Sequence, residues 1–273
     1  MATTSHVSDR VRSFHELHRS GCFVIPNPWD AGSARLLAQL GFRALATTSS
    51  GFAWTLGRQD RHITLELVLA HLRVMCDAVD LPINADFEDG FASAPEDVAA
   101  NVARAAETGV AGLSIEDSTE DPAKPLFDFD LAVERIAAAR RAIDDSGTGV
   151  LLVGRTEAAG QLPLPERIRR LTAYADAGAD CLFAPGLRSL ADIRTVVQAV
   201  APKPVNVLVN SDFTTVAQLA DVGVRRISVG GALARAALTG FLGAAREIAQ
   251  QGTFRGLGAA ISSAELQSAF DDR

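Results

Sequence analysis

Cysteine is scarce in this chain: Cys22, Cys76 and Cys181 are the only three among 273 residues, and they lie far apart. An odd count without metal-ligand spacing argues against a disulfide scaffold and fits a reducing, cytoplasmic setting. Basic residues are outnumbered as well. Lys and Arg total 26 against 33 Asp and Glu, a net charge of −7, which is the wrong sign for neutralising nucleic-acid phosphates or an anionic membrane. A small anionic substrate therefore needs local positive charge or a metal. Long hydrophobic runs are missing too. The first apolar stretch, residues 21–28, is interrupted by Pro26, and residues 1–10 are polar, so neither a signal peptide nor a membrane span is expected. No low-complexity segment or linker divides the chain, and 48% hydrophobic with 22% charged residues is the balance of a folded globular protein.

What the sequence does hold is a rhythm: a helix-like stretch, a glycine, then a short apolar run ending in polar residues. Gly41, Gly109, Gly178 and Gly223 each open such a run. Glycine suits the left-handed position after a helix, and runs this short and apolar read as strands buried on both faces. Candidate strands cover residues 22–26, 44–48, 81–86, 111–116, 149–155, 180–184, 204–209 and 225–229. Helical patterns fill 64–79, 95–108, 131–144, 165–177 and 190–200, several opened by Pro, Ser or Asp. Eight strands alternating with helices predict an α/β fold, a (β/α)8 TIM-type barrel formed by residues 1–273 as one domain, with the doubly wound open sheet as the rival.

Residues 231–251 and 262–270 read as two more helices, beyond what a closing βα unit needs. Residues 231–273 are thus expected to form a C-terminal helical extension. Its surplus apolar surface packs either within the chain or on a second subunit, where the helices can be swapped between protomers, so a homo-oligomer, dimer or tetramer, is expected.

Polar residues gather at the carboxyl ends of the strands, which open on one face of a parallel barrel, where catalytic groups are expected. The densest group is Asn84-Ala85-Asp86-Phe87-Glu88-Asp89-Gly90, with three acids in four residues, and Glu116 and Asp117 end the next strand. Their mutual repulsion demands a counter-charge. Hard oxygen ligands at this density favour Mg²⁺ or Mn²⁺ over zinc.

The order of short motifs resembles the isocitrate lyase and phosphoenolpyruvate mutase superfamily. Residues 27–35 (Asn-Pro-Trp-Asp-Ala-Gly-Ser-Ala-Arg) are similar to its first-strand signature, Thr48-Ser49-Ser50-Gly51 to its carboxylate-binding turn, and Gly57-Arg58-Gln59-Asp60 to its second loop. Residues 86–91 resemble the metal motif, Ser114-Ile115-Glu116-Asp117 the following acidic strand end, and Gly154-Arg155-Thr156-Glu157-Ala158 the segment with the substrate arginine. The resemblance implies that Asp86 binds Mg²⁺ (or Mn²⁺) directly, that Glu88 and Glu116 hold its water ligands, and that Asp60 stands near the reacting atoms. It also implies that Ser49, Ser50, Gly51 and Arg155 receive the substrate carboxylate, Asp86 meeting the substrate through the metal. The family's usual pattern has an aspartate where Glu88 stands, and the longer side chain favours the water-mediated role.

The lyase branch carries a Lys-x-Cys-Gly-His segment after the fourth strand. Residues 117–127 here read Asp-Ser-Thr-Glu-Asp-Pro-Ala-Lys-Pro-Leu-Phe, with no cysteine or histidine, and the asparagine of the phosphonopyruvate branch is also missing. The two prolines suggest a lid on which Lys124, Glu120 or Ser118 could act, Lys124 being the residue assigned a catalytic part with Asp60 and Arg155. None of the three cysteines falls at the strand ends that would carry the site. The five histidines, His6, His15, His18, His62 and His71, lie in the first third of the chain. His62 follows Asp60 closely, and the others are expected to face solvent. Ser228-Val229-Gly230-Gly231 also offers a phosphate cradle of the kind many barrels carry.

The function expected is an Mg²⁺-dependent lyase that cleaves or forms a carbon–carbon bond next to a 2-oxo or 2-hydroxy carboxylate through a metal-stabilised enolate. Two alternatives stay open: a hydrolase or decarboxylase of oxaloacetate-like acids, or phosphonopyruvate-type carbon–phosphorus chemistry; and a barrel that binds a small acid without turnover. A metal-free, phosphate-binding barrel isomerase built on Ser228–Gly231 is a further rival. The partner expected is a small carboxylate, with no nucleic acid and no membrane.

Overall fold

The four rhythm glycines adopt the conformation their position demands: φ is 83° at Gly41, 93° at Gly109, 104° at Gly178 and 88° at Gly223, where a side chain would strain the turn from helix into strand. In the computed structural model, which describes residues 3–119, 121–157 and 162–271, each turn delivers the chain to a short buried strand. The strands are β1 (Phe23–Ile25), β2 (Leu45–Ala46), β3 (Ile83–Asp86), β4 (Gly112–Glu116), β5 (Leu151–Arg155), β6 (Cys181–Phe183), β7 (Val205–Leu208) and β8 (Arg226–Ser228). They form one parallel sheet in the order β1-β8-β7-β6-β5-β4-β3-β2. Between β1 and β2 the Ala46 N–H donates to the Pro26 carbonyl at 3.0 Å, which draws the two edges together into a nearly closed TIM-type barrel.

The helices are α1 (Thr3–Arg19), α2 (Ala31–Gln39), α3 (Ser49–Thr55), α4 (Leu65–Ala78), α5 (Pro95–Ala106), α6 (Phe129–Ser146), α7 (Leu164–Asp176), α8 (Leu190–Ala199), α9 (Val216–Asp221), α10 (Ala232–Gln251) and α11 (Ser263–Phe270). Their starts follow local chemistry. Asp30 caps α2 in a reciprocal box with Ser33, Thr215 does the same for α9 with Gln218, and Pro95 opens α5, satisfying amide groups that a helix start leaves bare. Among the described residues no helix is long and apolar enough to cross a membrane.

Two apolar layers hold the barrel. The larger lies between the sheet and its ring of helices. The smaller fills the barrel interior at the end away from the strand carboxyl termini, where Val11, Phe14 and Leu17 of α1 pack on Phe23, Ile25, Ala111, Leu151 and Val153. Gly112 exists for this plug: a Cβ there would lie 2.6 Å from a Phe14 ring carbon and 2.9 Å from Asn84 Oδ1. A charge is buried above the plug. Arg226 donates to Asn206 Oδ1 at 2.9 Å and Asn84 Oδ1 at 3.2 Å, and burial lowers its pKa.

His18 and His71 were expected to face solvent and do not. His18 sits under the barrel with Nδ1 2.7 Å from the Phe14 carbonyl, and His71 stacks on Phe52 at 3.8 Å between ring centroids. Both continue apolar stripes, His18 following Val11 and Phe14, His71 standing with Val68, Leu72 and Met75, so the helix faces carry them inward. Desolvation leads in lowering both pKa values, to about 3 at His18 and about 4 at His71.

The C-terminal helices leave the barrel wall. Only Ala234 of α10 is buried, whereas Leu238, Phe241, Leu242 and Ile248 are exposed. Within the chain α11 folds back on α2, where Gln39 donates to the Ala269 carbonyl.

Candidate active site at the barrel mouth

Asp86 ends β3 and is held from three sides. Its own N–H donates to Thr47 Oγ1 at 2.9 Å; Oδ2 accepts from the Ser49 N–H at 2.9 Å and the Ser49 hydroxyl at 2.8 Å; Oδ1 accepts from Arg155 at 3.0 Å. Ser49 therefore positions Asp86. The amide groups of Ser50 and Gly51 lie one and two residues farther into the first turn of α3, where Thr48 is the cap.

Arg155, at the end of β5, gathers the acids. Its guanidinium pairs with Asp86, with Glu116 Oε2 at 3.1 Å, and with Glu157. Burial works against its charge, but Glu116, Glu157 and Asp86 outweigh that and hold its pKa above the ordinary value. Glu116, at the end of β4, is itself buried, and desolvation raises its carboxyl despite Arg155. Glu88 is buried on a left-handed turn, φ 47°. Its Oε1 has no hydrogen-bond partner. Burial, followed by Asp86, Glu116 and Asp60, pushes its pKa up to about 8. Asp60 stands at the rim and is raised by burial and by the Asp86 charge.

The donor set fits a hard divalent cation. Three strand-end carboxyl groups share one small region, and one of their oxygens is buried and unpartnered, which is costly unless a cation or its water meets it. Among the described residues no three His, Cys, Asp or Glu side chains converge closely enough to chelate an ion together. That geometry suits one direct carboxylate and others acting through water, because arginines already meet both oxygens of Glu116.

The structure brings Asp60, Asp86, Glu88, Glu116, Arg155 and the Ser49–Gly51 turn to one mouth. Lys124 does not join them: it is exposed on the β4–α6 loop and paired with Asp128, and its hydrogen bonds reach no acid of the cluster. Ser118 does join, donating its hydroxyl to Glu116. Glu120 and Ala158 lie outside the described residues. Asp117 turns away from the mouth. Its carboxylate accepts from Thr156 Oγ1 at 2.8 Å, Arg170 at 2.9 Å, Tyr174 Oη at 2.6 Å and the Glu157 N–H at 2.8 Å, locking the end of β5 to α7. The expected phosphate cradle is already used, since Asn27 Oδ1 takes the N–H groups of Val229 and Gly230 at 2.9 and 2.8 Å. The cysteines are free thiols away from the mouth, with Cys76 and Cys181 buried and their pKa values raised by burial.

Sequence reasoning missed two residues here. Arg61 donates to Glu116, Ser118 Oγ and the Thr119 carbonyl, and no motif marked it. Arg135 is buried under the turn that follows β3 and donates to the carbonyls of Asp89, Ala92 and Ser93. A fully buried arginine at a helical core position leaves no sequence signal beyond its misplaced charge.

Comparison with known proteins places this geometry. The family model described as phosphoenolpyruvate phosphomutase matches residues 14–249. A crystal structure from Burkholderia cenocepacia, named no more closely than as a lyase/mutase, is 44% identical with a TM-score of 0.94 and covers 97% of each chain. The 2-methylisocitrate lyase of Escherichia coli is 34% identical over 63% of this chain and 60% of its own length. Oxaloacetate acetylhydrolase, solved with its product oxalate, is 26% identical with a TM-score of 0.87, covering 96% of this chain and 94% of its own.

Proposed function

The chain belongs to the phosphoenolpyruvate phosphomutase family, and from that premise we propose that it is an Mg²⁺- or Mn²⁺-dependent lyase that breaks or makes a carbon–carbon bond next to a 2-oxo or 2-hydroxy carboxylate. The observation that carries this reading is the clamped Asp86, with Ser49 on one oxygen and Arg155 on the other, beside the unpartnered buried oxygen of Glu88. Asp86 would hold the cation directly, with Glu88 and Glu116 placed to hold its water. The cation, when bound, neutralises charge on the substrate's carboxylate and 2-oxygen.

The chain's own groups do the rest. The planar fork of Arg155 binds the substrate carboxylate and exchanges part of its hold on Asp86 and Glu157 for it, while staying on Glu116. The amide group of Ser50 receives the other side of that carboxylate, joined by the Gly51 N–H as it leaves Thr48 Oγ1. Asp60, whose pKa is raised by burial and by Asp86, holds or gives up the proton at the rim. Lys124, tied to Asp128, has no part in this scheme.

Hydrolysis or decarboxylation of an oxaloacetate-like acid is the second reading. Ser118 supports it, standing on Glu116 where the lyase branch carries its cysteine loop, as does the likeness to oxaloacetate acetylhydrolase. A panel of 2-oxo and 2-hydroxy di- and tricarboxylates, followed by NMR across an Mg²⁺ titration, separates the readings. Glyoxylate or succinate, or pyruvate from an acid other than oxaloacetate, supports the lyase, whereas pyruvate with CO₂ from oxaloacetate marks a decarboxylase. Oxalate supports the hydrolase, and metal-dependent binding without product reduces the protein to an acid-binding barrel.

The exposed apolar side chains of α10 support a homo-oligomer in which a second copy covers that helix. Three free thiols support a cytoplasmic setting.

A further inference from the structure

Arg61 reaches the mouth by an unusual route. It stands in the turn between α3 and α4 with φ 66°, a left-handed conformation that residues other than glycine seldom adopt. That turn carries its guanidinium across β3 to the loop after β4. There it donates to Glu116, to Ser118 Oγ and, at 3.0 Å, to the Thr119 carbonyl.

Glu116 thus lies between two guanidinium groups, Arg61 on Oε1 and Arg155 on Oε2. Arg155 keeps a guanidinium on the other oxygen of Glu116, shared with Asp86 and Glu157. Arg61 is therefore the cation that can leave Glu116 without orphaning it. It is also the more open of the two, its side chain 33% exposed against 21% for Arg155. Its other partners, a hydroxyl and a carbonyl, are neutral and readily replaced by water or by ligand oxygens.

We infer that Arg61 receives the second carboxylate of the substrate, so that the site selects 2-oxo and 2-hydroxy dicarboxylates over monocarboxylates. This rests on the reading of the mouth as a metal and carboxylate site. Arg155 and the start of α3 take the first carboxylate. Arg61, one loop away, meets the far end with a fork that matches a carboxylate bidentately. Arg61 is on this account a specificity residue, moving between Glu116 in the free enzyme and substrate in the complex.

Binding of three probes to the full-length protein in Mg²⁺ tests the inference by calorimetry. Oxalate has no distal carboxylate, malate has one, and lactate is the matching monocarboxylate. Wild type is expected to bind malate about tenfold or more above lactate, the scale of one charge-assisted pair. Arg61→Gln brings that ratio close to one while oxalate affinity falls far less than malate affinity, since Glu116 keeps Arg155 on its other oxygen when the Arg61 charge is lost. Arg61→Lys, which keeps the charge and guards against a folding defect, leaves an intermediate ratio. An unchanged ratio in Arg61→Gln overturns the inference, as does an equal weakening of all three probes, which would make Arg61 a mere support for Glu116. Failure of wild type to bind oxalate with Mg²⁺ instead removes the metal site itself, and this role with it.

Discussion

Ser49 holds Asp86 twice, through its backbone N–H and through its hydroxyl, both on Oδ2 at 2.9 and 2.8 Å. This pair joins the first turn of α3 to the end of β3, so the turn proposed to receive the substrate carboxylate and the side chain proposed to hold the cation move as one unit. Two donors on one oxygen also fix which lone pairs remain for a metal.

Asp86→Ala is accordingly expected to abolish metal-dependent turnover while leaving the far-ultraviolet circular dichroism unchanged, because Asp86 ends its strand and supports no apolar packing. Ser49→Ala keeps the N–H bond and loses only the hydroxyl. It should weaken Mg²⁺ binding roughly tenfold, the lower end for groups that orient a ligand. Calorimetric titration with Mg²⁺ or Mn²⁺ checks both, and full activity in Asp86→Ala would refute the assignment.

Asp117→Ala should destabilise the fold by about 3–5 kcal/mol, the range for removing one partner of a buried ion pair. Arg170, itself buried, is left without its carboxylate, and Tyr174, Thr156 and the Glu157 N–H lose their acceptor. Urea unfolding measures the loss. Asp117→Asn, which keeps an acceptor but not the charge, should fall between Asp117→Ala and wild type; a loss under about 1 kcal/mol in Asp117→Ala would mean that α7 and β5 do not depend on this carboxylate.

Asp117 also marks how far the sequence could be read. All eight strands were legible, because parallel strands buried on both faces stand out as apolar runs punctuated by glycine. Five of the helices between them were too, whereas α2, α3 and α9, of nine, seven and six residues, are too short to show a clear period. The mouth was legible because chemistry at strand carboxyl ends has nowhere else to gather. Glu116 and Asp117 looked like one acidic pair, yet adjacent residues at a strand end point to opposite faces, so one enters the mouth and the other the helix layer. That signal was present. Arg61 offered none, since its reach depends on a single left-handed residue. The pairing of Lys124 with Asp128 lies at i,i+4 spacing, which holds the lysine at the surface and away from the mouth.

His18 and His71 make stability depend on pH in a calculable direction. Both have folded-state pKa values lowered by burial, to about 3 and about 4, below the ordinary value near 6.5. The unfolded chain therefore binds the extra protons as pH falls below about 6.5, and their contribution, fully present above that pH, is lost progressively toward pH 4. Each histidine accounts for at most about 2 kcal/mol between pH 7 and 5. Glu88, raised to about 8, acts in the opposite sense, so the comparison of wild type with a variant isolates the effect. His71→Phe keeps the ring packed on Phe52 and should flatten the acid-side slope of urea stability; an unchanged slope would show that His71 is protonated in the fold.

The exposed face of α10 gives a last expectation. Leu238, Phe241, Leu242 and Ile248 recur at helical spacing on one side of a helix with a single buried residue, and Phe241 is 66% exposed. A stripe of this kind left in water costs roughly 1.5–3 kcal/mol for each large side chain relative to burial, which a second copy recovers by packing its own α10 against it under two-fold symmetry. The protein should therefore run in size-exclusion chromatography with light scattering at a multiple of 28.8 kDa. Phe241→Asp places a charge at the centre of the contact and should shift the species toward that single-chain mass, since an unpaired buried charge is costly. Its barrel should stay folded, because Phe241 touches no part of the core. A wild type that already runs at the single-chain mass would leave α10 exposed and end the proposal of a second copy there.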